Sequence, residues 1–134
     1  MAYWLLKSEP ESWSWQQQVE RGTTAWDGVR NAQALNNMRA MAEGDRAFFY
    51  HSGAERAVVG IVSITGTFRP DPADPASGVV DVTADQALPA PVTLAAIKAE
   101  PRLAHLALVR QPRLSVMPVD PEAWSLIGGL GGLI

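Results

Sequence analysis

The chain has 134 residues, 47% of them hydrophobic, with no cysteine, 11 Lys and Arg against 14 Asp and Glu, and a formal net charge of −3. That length holds one core of ordinary size; the lack of cysteine excludes disulfides, thiol nucleophiles and thiolate-bound zinc; and the acidic balance excludes holding nucleic acid by bulk charge alone. No apolar run is long enough to cross a bilayer, and Met1-Ala2-Tyr3-Trp4 enters a strand with neither a basic n-region nor a cleavage site, so a cytoplasmic protein without a membrane partner is expected.

Ala2 to Lys7 reads as a short buried strand, broken at Ser8-Glu9-Pro10 because the residue before proline avoids helical geometry. Ser12 is the expected cap of a helix running through Trp13, Trp15 and Val19 to Glu20, with Gly22 beyond its end. Trp13 and Trp15 are two apart and cannot share a helical face, so one is expected to pack inward and the other to sit at a rim, with packing the main role expected of both. Thr23 to Trp26 reads as strand. Asn31 to Ala42 reads as helix, with Leu35, Met38, Met41 and Ala42 roughly on one side.

Arg46 to His51 is a strand with Phe48 and Tyr50 on one face and Phe49 and His51 on the other. Ala57 to Phe68, rich in Val, Ile and Thr, predicts a long strand in which Gly60 or Gly66 allows a bulge. Pro70-Asp71-Pro72-Ala73-Asp74-Pro75 predicts a loop. Val79 to Thr83 is a further strand, with Pro89 and Pro91 as breaks. Thr93 caps a short helix ending before Pro101, and Leu103 to Val109 suggests another helical piece stopped by Pro112. Leu114 to Val119 is a final strand. Asp120 caps a last helix from Pro121 to Leu126 or Ile127, and Gly128 to Ile134 is expected to fray. Strands at irregular spacing with short helices between them, and no internal repeat or linker, predict an α+β fold: one compact mixed barrel or rolled sheet over residues 1–134, with helices outside it.

Four polar islands sit at strand ends or the turns after them: Lys7 to Pro10, Trp26 to Asn31, Tyr50 to Ser52, and Arg113 to Ser115. Strand ends of a barrel can converge on one mouth. The second island combines an aromatic face, a turn glycine, a guanidinium and an amide, which is equipment for gripping a planar heterocycle. A buried Trp26, a turn Gly28 and Asn31 as a plain N-cap is the competing reading of the same residues. Ser8 and His51 with Glu9 or Asp27 offer a conceivable hydrolytic set, but no Gly-x-Ser-x-Gly occurs, and two histidines with no cysteine supply no spaced metal cluster.

At these words the sequence resembles the EVE domain family of the PUA-like group. The matching stretches are Tyr3 to Pro10, Trp26-Asp27-Gly28-Val29-Arg30-Asn31, Phe48 to Ser52, and Arg113 to Val119, in the family's order and covering essentially the whole chain. Ala32 and Leu35 depart from the pattern, standing where many members carry an aromatic and an arginine. The resemblance implies a PUA-like mixed β-barrel with short peripheral helices. It implies a non-catalytic reader that draws a flipped, modified base, such as a modified cytosine in DNA, into a cavity. An RNA- or nucleoside-binding module is the alternative. Carried over position by position, the cavity involves Lys7, Ser8, Trp26, Val29, Arg30, Asn31, Tyr50, His51, Ser52 and Arg113. The expected partner is nucleic acid, with no cofactor and no metal, and the expected state is a monomer. Trp26 or Tyr50 would stack on the ring, worth about 1–3 kcal/mol whatever the base. Asn31, Ser8 and Ser52 would read its edge, and Arg30, Lys7 and Arg113 would hold flanking phosphates. Because a buried methyl adds only about 0.8 kcal/mol, a modest preference for modified over plain base is expected.

Overall fold

The computed structural model describes residues 1–133; Ile134, the last residue of the expected frayed end, lies outside the described residues. Six strands form one sheet: β1 (Tyr3–Ser8), β2 (Thr23–Trp26), β3 (Arg46–His51), β4 (Ala57–Asp71), β5 (Asp74–Thr93) and β6 (Val116–Val119), in the order β2-β5-β4-β3-β1-β6. β1 runs parallel to β3 and antiparallel to β6; the other neighbours are antiparallel. The fold class is the expected one. The edge strands β2 and β6 are not joined by a ladder. Helix α2 (Ala32–Ala40) packs against β6, β5 and β4, and the Asn37 amide donates to the Val116 carbonyl at 2.8 Å, so an edge carbonyl of β6 has a side-chain partner.

The helices start where short polar side chains accept from their first amides. α1 (Trp15–Arg21) is capped by Ser14, not by Ser12 as expected. The reason is local. The Ser12 and Trp13 amides both still donate to the Glu9 carbonyl, so the chain is turning there, while Ser14 and Gln17 exchange the reciprocal bonds of a capping box. Trp13 therefore lies in the turn, outside the helix. Asn31 caps α2, Thr93 caps α3 (Leu94–Lys98), and Asp120 caps α5 (Pro121–Leu130), each accepting from the amide three residues on. A 3-10 turn (Pro101–Leu103) and α4 (Ala107–Arg110) lie between α3 and β6.

Two expectations built on proline fail for one reason. The expected loop 70–75 is the tip of a long hairpin, whose arms run to Asp71 and resume at Asp74. Nor do Pro89 and Pro91 end β5. Proline lacks a ladder donor, which matters only where the ladder needs one. Register jumps from Pro70 opposite Gly78 to Asp71 opposite Asp74, and from Gly60 opposite Ala87 to Val58 opposite Val92, so Pro75, Pro89 and Pro91 sit in bulged stretches. The glycine-rich end is also ordered: α5 continues to Leu130, and the buried Gly131 accepts from the Ala90 amide in the second of those bulges at 3.0 Å.

Leu5, Leu6, Phe48 and Phe49 are fully buried on the central strands, and Trp124 of α5 stacks on Phe48 and Tyr3 with centroids 3.9 and 4.4 Å apart. Trp15 covers the bulge at Gly60, where a Cβ would come within 2.6 Å of the indole ring. A Gly60→Ala variant is expected to lose about 1–3 kcal/mol through overpacking, because a rigid indole cannot yield as a flexible chain end does. Chemical denaturation measures it, and an unchanged midpoint would show that the Trp15 ring moves freely.

Candidate nucleic-acid interface

Parallel pairing sets the ends of β1 and β3 side by side, with Lys7 opposite Tyr50 and Ser8 opposite His51. The pairing continues past the strands, since the Ser52 amide donates to the Ser8 carbonyl at 2.9 Å. On the other side the Lys7 amide donates to Ser115, which brings the stretch before β6 to the same level. Trp26, at the end of β2, meets Phe49 edge to face with centroids 5.4 Å apart. Along the ladder Trp26 lies beyond the Arg46 end of β3, and the curl of the sheet brings it back against Phe49, so that the second island meets the first beside the ends of β1 and β3.

A cavity of about 400 Å³ opens there. Lys7, Ser8 and Glu9 form one wall, Ser12 and Trp13 a second, and Thr24 to Asp27 a third. A smaller hollow of about 250 Å³ is lined by Asn31, Gln33, Gln111, Pro112, Arg113 and Leu114. Lys7 links the two: it lines the first, and its ammonium donates to the Pro112 carbonyl of the second at 2.8 Å while lying 5.7 Å from the centre of the Tyr50 ring. Burial lowers the Lys7 pKa, since a half-buried ammonium loses part of its water shell. It forms no ion pair among the described residues. Hollows of about 540 and 550 Å³ occur elsewhere, at the start of β1 beside His105 and beside Trp124, but neither gathers the strand-end groups.

Of the residues singled out by sequence, Lys7, Ser8 and Trp26 line the cavity, and Asn31 and Arg113 line the adjoining hollow. The others are placed differently. Val29 is buried, and its carbonyl accepts from the buried Ser77 hydroxyl. Arg30 is exposed and pairs with Asp74 at the hairpin tip at 2.7 Å. Tyr50 is buried beneath Lys7, and that burial raises its phenol pKa against the pull of Arg56. His51 is a bracket: Nε2 accepts from the Trp15 amide at 3.0 Å, which leaves the proton on Nδ1, 2.8 Å from Glu55 Oε1. The Ser52 hydroxyl donates to Glu9 at 3.4 Å. Sequence reasoning passed over Trp13, Ser12, Thr24 and Asp27 as lining residues. The signal for Trp13 was the Ser14–Gln17 box, which puts it ahead of the helix and within reach of Ser8; the Ser8 hydroxyl donates to the Trp13 carbonyl. Among the described residues no group of three His, Asp or Glu is placed to hold a metal, and no helix is long and apolar enough to cross a membrane.

Sheet, peripheral helices and a concave mouth beside the ends of β1 and β2 define an α+β module. Residues 2–130 match the model of the EVE domain, and the chain belongs to that family. Human thymocyte nuclear protein 1 is 31% identical over an alignment covering 94% of this chain and 72% of that protein. The NMR structure of Rpa0253 from Rhodopseudomonas palustris is 53% identical, covers 98% of this chain and 94% of its own, and superposes with a TM-score of 0.93. The crystal structure of human THYN1 protein in complex with 5-methylcytosine-containing DNA is 28% identical, covers 100% and 99% of the two chains, and has a TM-score of 0.91.

Proposed function

We propose that this chain is a non-catalytic reader of nucleic acid that holds one flipped base in the cavity between Trp13 and Trp26, with a modified cytosine in DNA as its ligand. The observation that carries the reading is the cavity: two indoles, strand-end hydroxyls and a half-buried ammonium around about 400 Å³, on a fold shared with a relative crystallised with 5-methylcytosine-containing DNA. That volume falls in the range of small-ligand pockets, about 300–1,000 Å³. Trp26 and Trp13 supply the stacking faces. Lys7, and Arg113 in the next hollow, face the phosphates on either side of the flipped nucleotide, so local cations serve a chain whose overall charge is negative. Residues 1–134 act together as one such module.

A binder fits these contacts better than a hydrolase does. Ser8 donates its proton to the Trp13 carbonyl and His51 accepts from the Trp15 amide, so neither is free to form a nucleophile–base pair with the other.

The test is an equilibrium titration of wild type and Trp26→Leu with oligonucleotides carrying one 5-methylcytosine, one cytosine, or the RNA counterpart. Leucine keeps the ring's buried side filled, and a melting curve checks the fold. Trp26→Leu is expected to weaken binding by about 5- to 150-fold, the equivalent of about 1–3 kcal/mol of stacking. Wild type is expected to prefer the methylated base by about fourfold, the worth of one buried methyl at about 0.8 kcal/mol. A folded Trp26→Leu with unchanged affinity would remove the stacking claim, and tighter binding of the RNA would move the ligand class.

A further inference from the structure

Gln18 is the one polar side chain with no solvent exposure among the described residues. A primary amide is costly to bury unless both its ends are bonded, and here both are. Oε1 accepts from the Trp13 indole N–H at 2.9 Å, and Nε2 donates to the Gly22 carbonyl at 3.0 Å. The partners settle which way the amide faces, since an indole N–H can only donate and a carbonyl can only accept. The Gly22 carbonyl also accepts from the Ala84 amide of β5 at 2.9 Å, and the Gly22 amide donates back to the Gln18 carbonyl at 2.9 Å. Gln18 is thus tied to the sheet at the start of β2 and reaches the cavity wall with its other end. The two indoles of that wall are held by different means. Trp26 is buried and braced by Phe49. Trp13 is half-buried, sits in the turn before α1, and has no aromatic partner among the described residues. Its backbone is pinned, with the amide on the Glu9 carbonyl at 2.8 Å and the carbonyl on the Ser8 hydroxyl. Those bonds leave the ring free to turn about its side-chain torsions, and the bond to Gln18 removes that freedom.

We infer that Gln18 is a positioning residue for base capture: by holding the Trp13 N–H it sets that ring in place as one side of the stack before a base arrives. The inference rests on the base-reader reading above and deepens it. A ring that is already immobilised has no rotamer freedom left to lose on binding. That saving is about 2- to 12-fold in affinity, the equivalent of about 0.5–1.5 kcal/mol for one side chain. The same bond occupies the only donor of the Trp13 side chain. Trp13 therefore offers the ligand a ring face and no hydrogen bond, and a face stacks on any base. Gln18 accordingly raises affinity for every base by one factor and leaves the choice between bases to other groups.

The experiment is a double-mutant cycle read by oligonucleotide titration. Gln18→Met keeps an unbranched side chain of similar length and removes both bonds; Trp13→Phe keeps a ring and removes the indole N–H. Single strands carrying one central 5-methylcytosine or one cytosine are the ligands, so no difference in unpairing enters, and melting curves check the fold. Gln18→Met is expected to weaken binding of both strands by the same factor, about 2- to 12-fold. Made in the Trp13→Phe background, it is expected to weaken binding no further. A merely structural Gln18 would lower affinity equally in both backgrounds. The wild-type protein gives a second reading that needs no folded Gln18 variant. The chain has five Trp indole protons, and Trp13→Phe assigns one NMR resonance by deleting it. That proton is expected to exchange slowly with solvent, as a bonded indole does. Fast exchange of the Trp13 proton, a folded Gln18→Met that binds as wild type does, or an equal loss in both backgrounds overturns the inference and leaves the base-reader reading standing. If wild type binds neither strand, or Trp26→Leu binds both as wild type does, the base-reader reading fails and the inference with it.

Discussion

Replacing Phe49 with alanine is expected to lower stability by about 3–5 kcal/mol, the usual cost of emptying a buried phenylalanine site, and to abolish measurable base binding along with it. Phe49 is fully buried, and three rings meet it at steep angles: Trp15 at 5.4 Å, Trp26 at 5.4 Å and His51 at 5.7 Å between centroids. Each such pair adds about 0.5–1.5 kcal/mol beyond the area it covers. One is the cavity wall and one is the bracket to α1, so the cavity left by alanine would loosen the site from below. Against a total of about 5–15 kcal/mol for a domain, the loss leaves little margin, and the melting temperature is expected to fall on the order of 10–15 °C. Phe49→Leu separates the two effects. It keeps most of the volume and remains folded, yet loses the edge contact to Trp26, so weaker binding with a nearly normal melt is the expected result. If alanine cost less than about 1 kcal/mol, Phe49 would not be the support described here.

The second large effect is expected at Asp45. This carboxylate is 5% exposed and accepts three hydrogen bonds: from the Trp4 indole at 3.0 Å, the Ala2 amide at 3.0 Å and the Ala42 amide at 2.9 Å. It ties the start of β1 to the turn before β3. Burial alone would push its pKa up; the bonds from Ala42, Trp4 and Ala2 together outweigh burial and hold it below the usual carboxylate range. Asp45→Ala strands those donors, and at about 1–3 kcal/mol for each unsatisfied buried group the loss is expected to reach about 3 kcal/mol or more. The pH dependence follows from the direction of the shift. The folded state binds this proton less readily than the unfolded chain, so the stabilisation is complete above the unfolded value of about 3.9. It is lost as pH falls through the lower folded value. Denaturation midpoints between pH 7 and pH 2 should therefore show a smaller acid loss in Asp45→Ala than in wild type. Equal acid sensitivity would mean that other carboxylates carry the effect.

Much of this was legible because it is local chemistry. Asn31, Thr93 and Asp120 cap helices for reasons contained within four residues, and the alternation of Arg46 to His51 needs only the strand period. The hairpin tip and the long β5 were not legible, because whether a proline breaks a strand depends on the register of its neighbour, which Pro75, Pro89 and Pro91 do not reveal. The site divides the same way. Lys7, Ser8 and Trp26 sit at strand ends that a converging sheet must bring together. His51 looks like a ligand residue in sequence, yet it faces the Trp15 amide, a contact 36 positions away. Asp27 lies within the most informative stretch, yet its place on the cavity wall depends on how β2 docks, which the sequence does not reveal.

Ser77 reaches back 48 residues to hold the Val29 carbonyl, and among the described residues β2 has its only ladder partner in β5. The wall containing Trp26 therefore has no lateral support until the far arm of the hairpin has been made and docked. Closing so long a stretch of chain is entropically slow compared with forming a helix turn. A nascent or partly folded chain can carry every pocket residue and still have no pocket, which makes ligand binding a late event that reports completion of the whole fold.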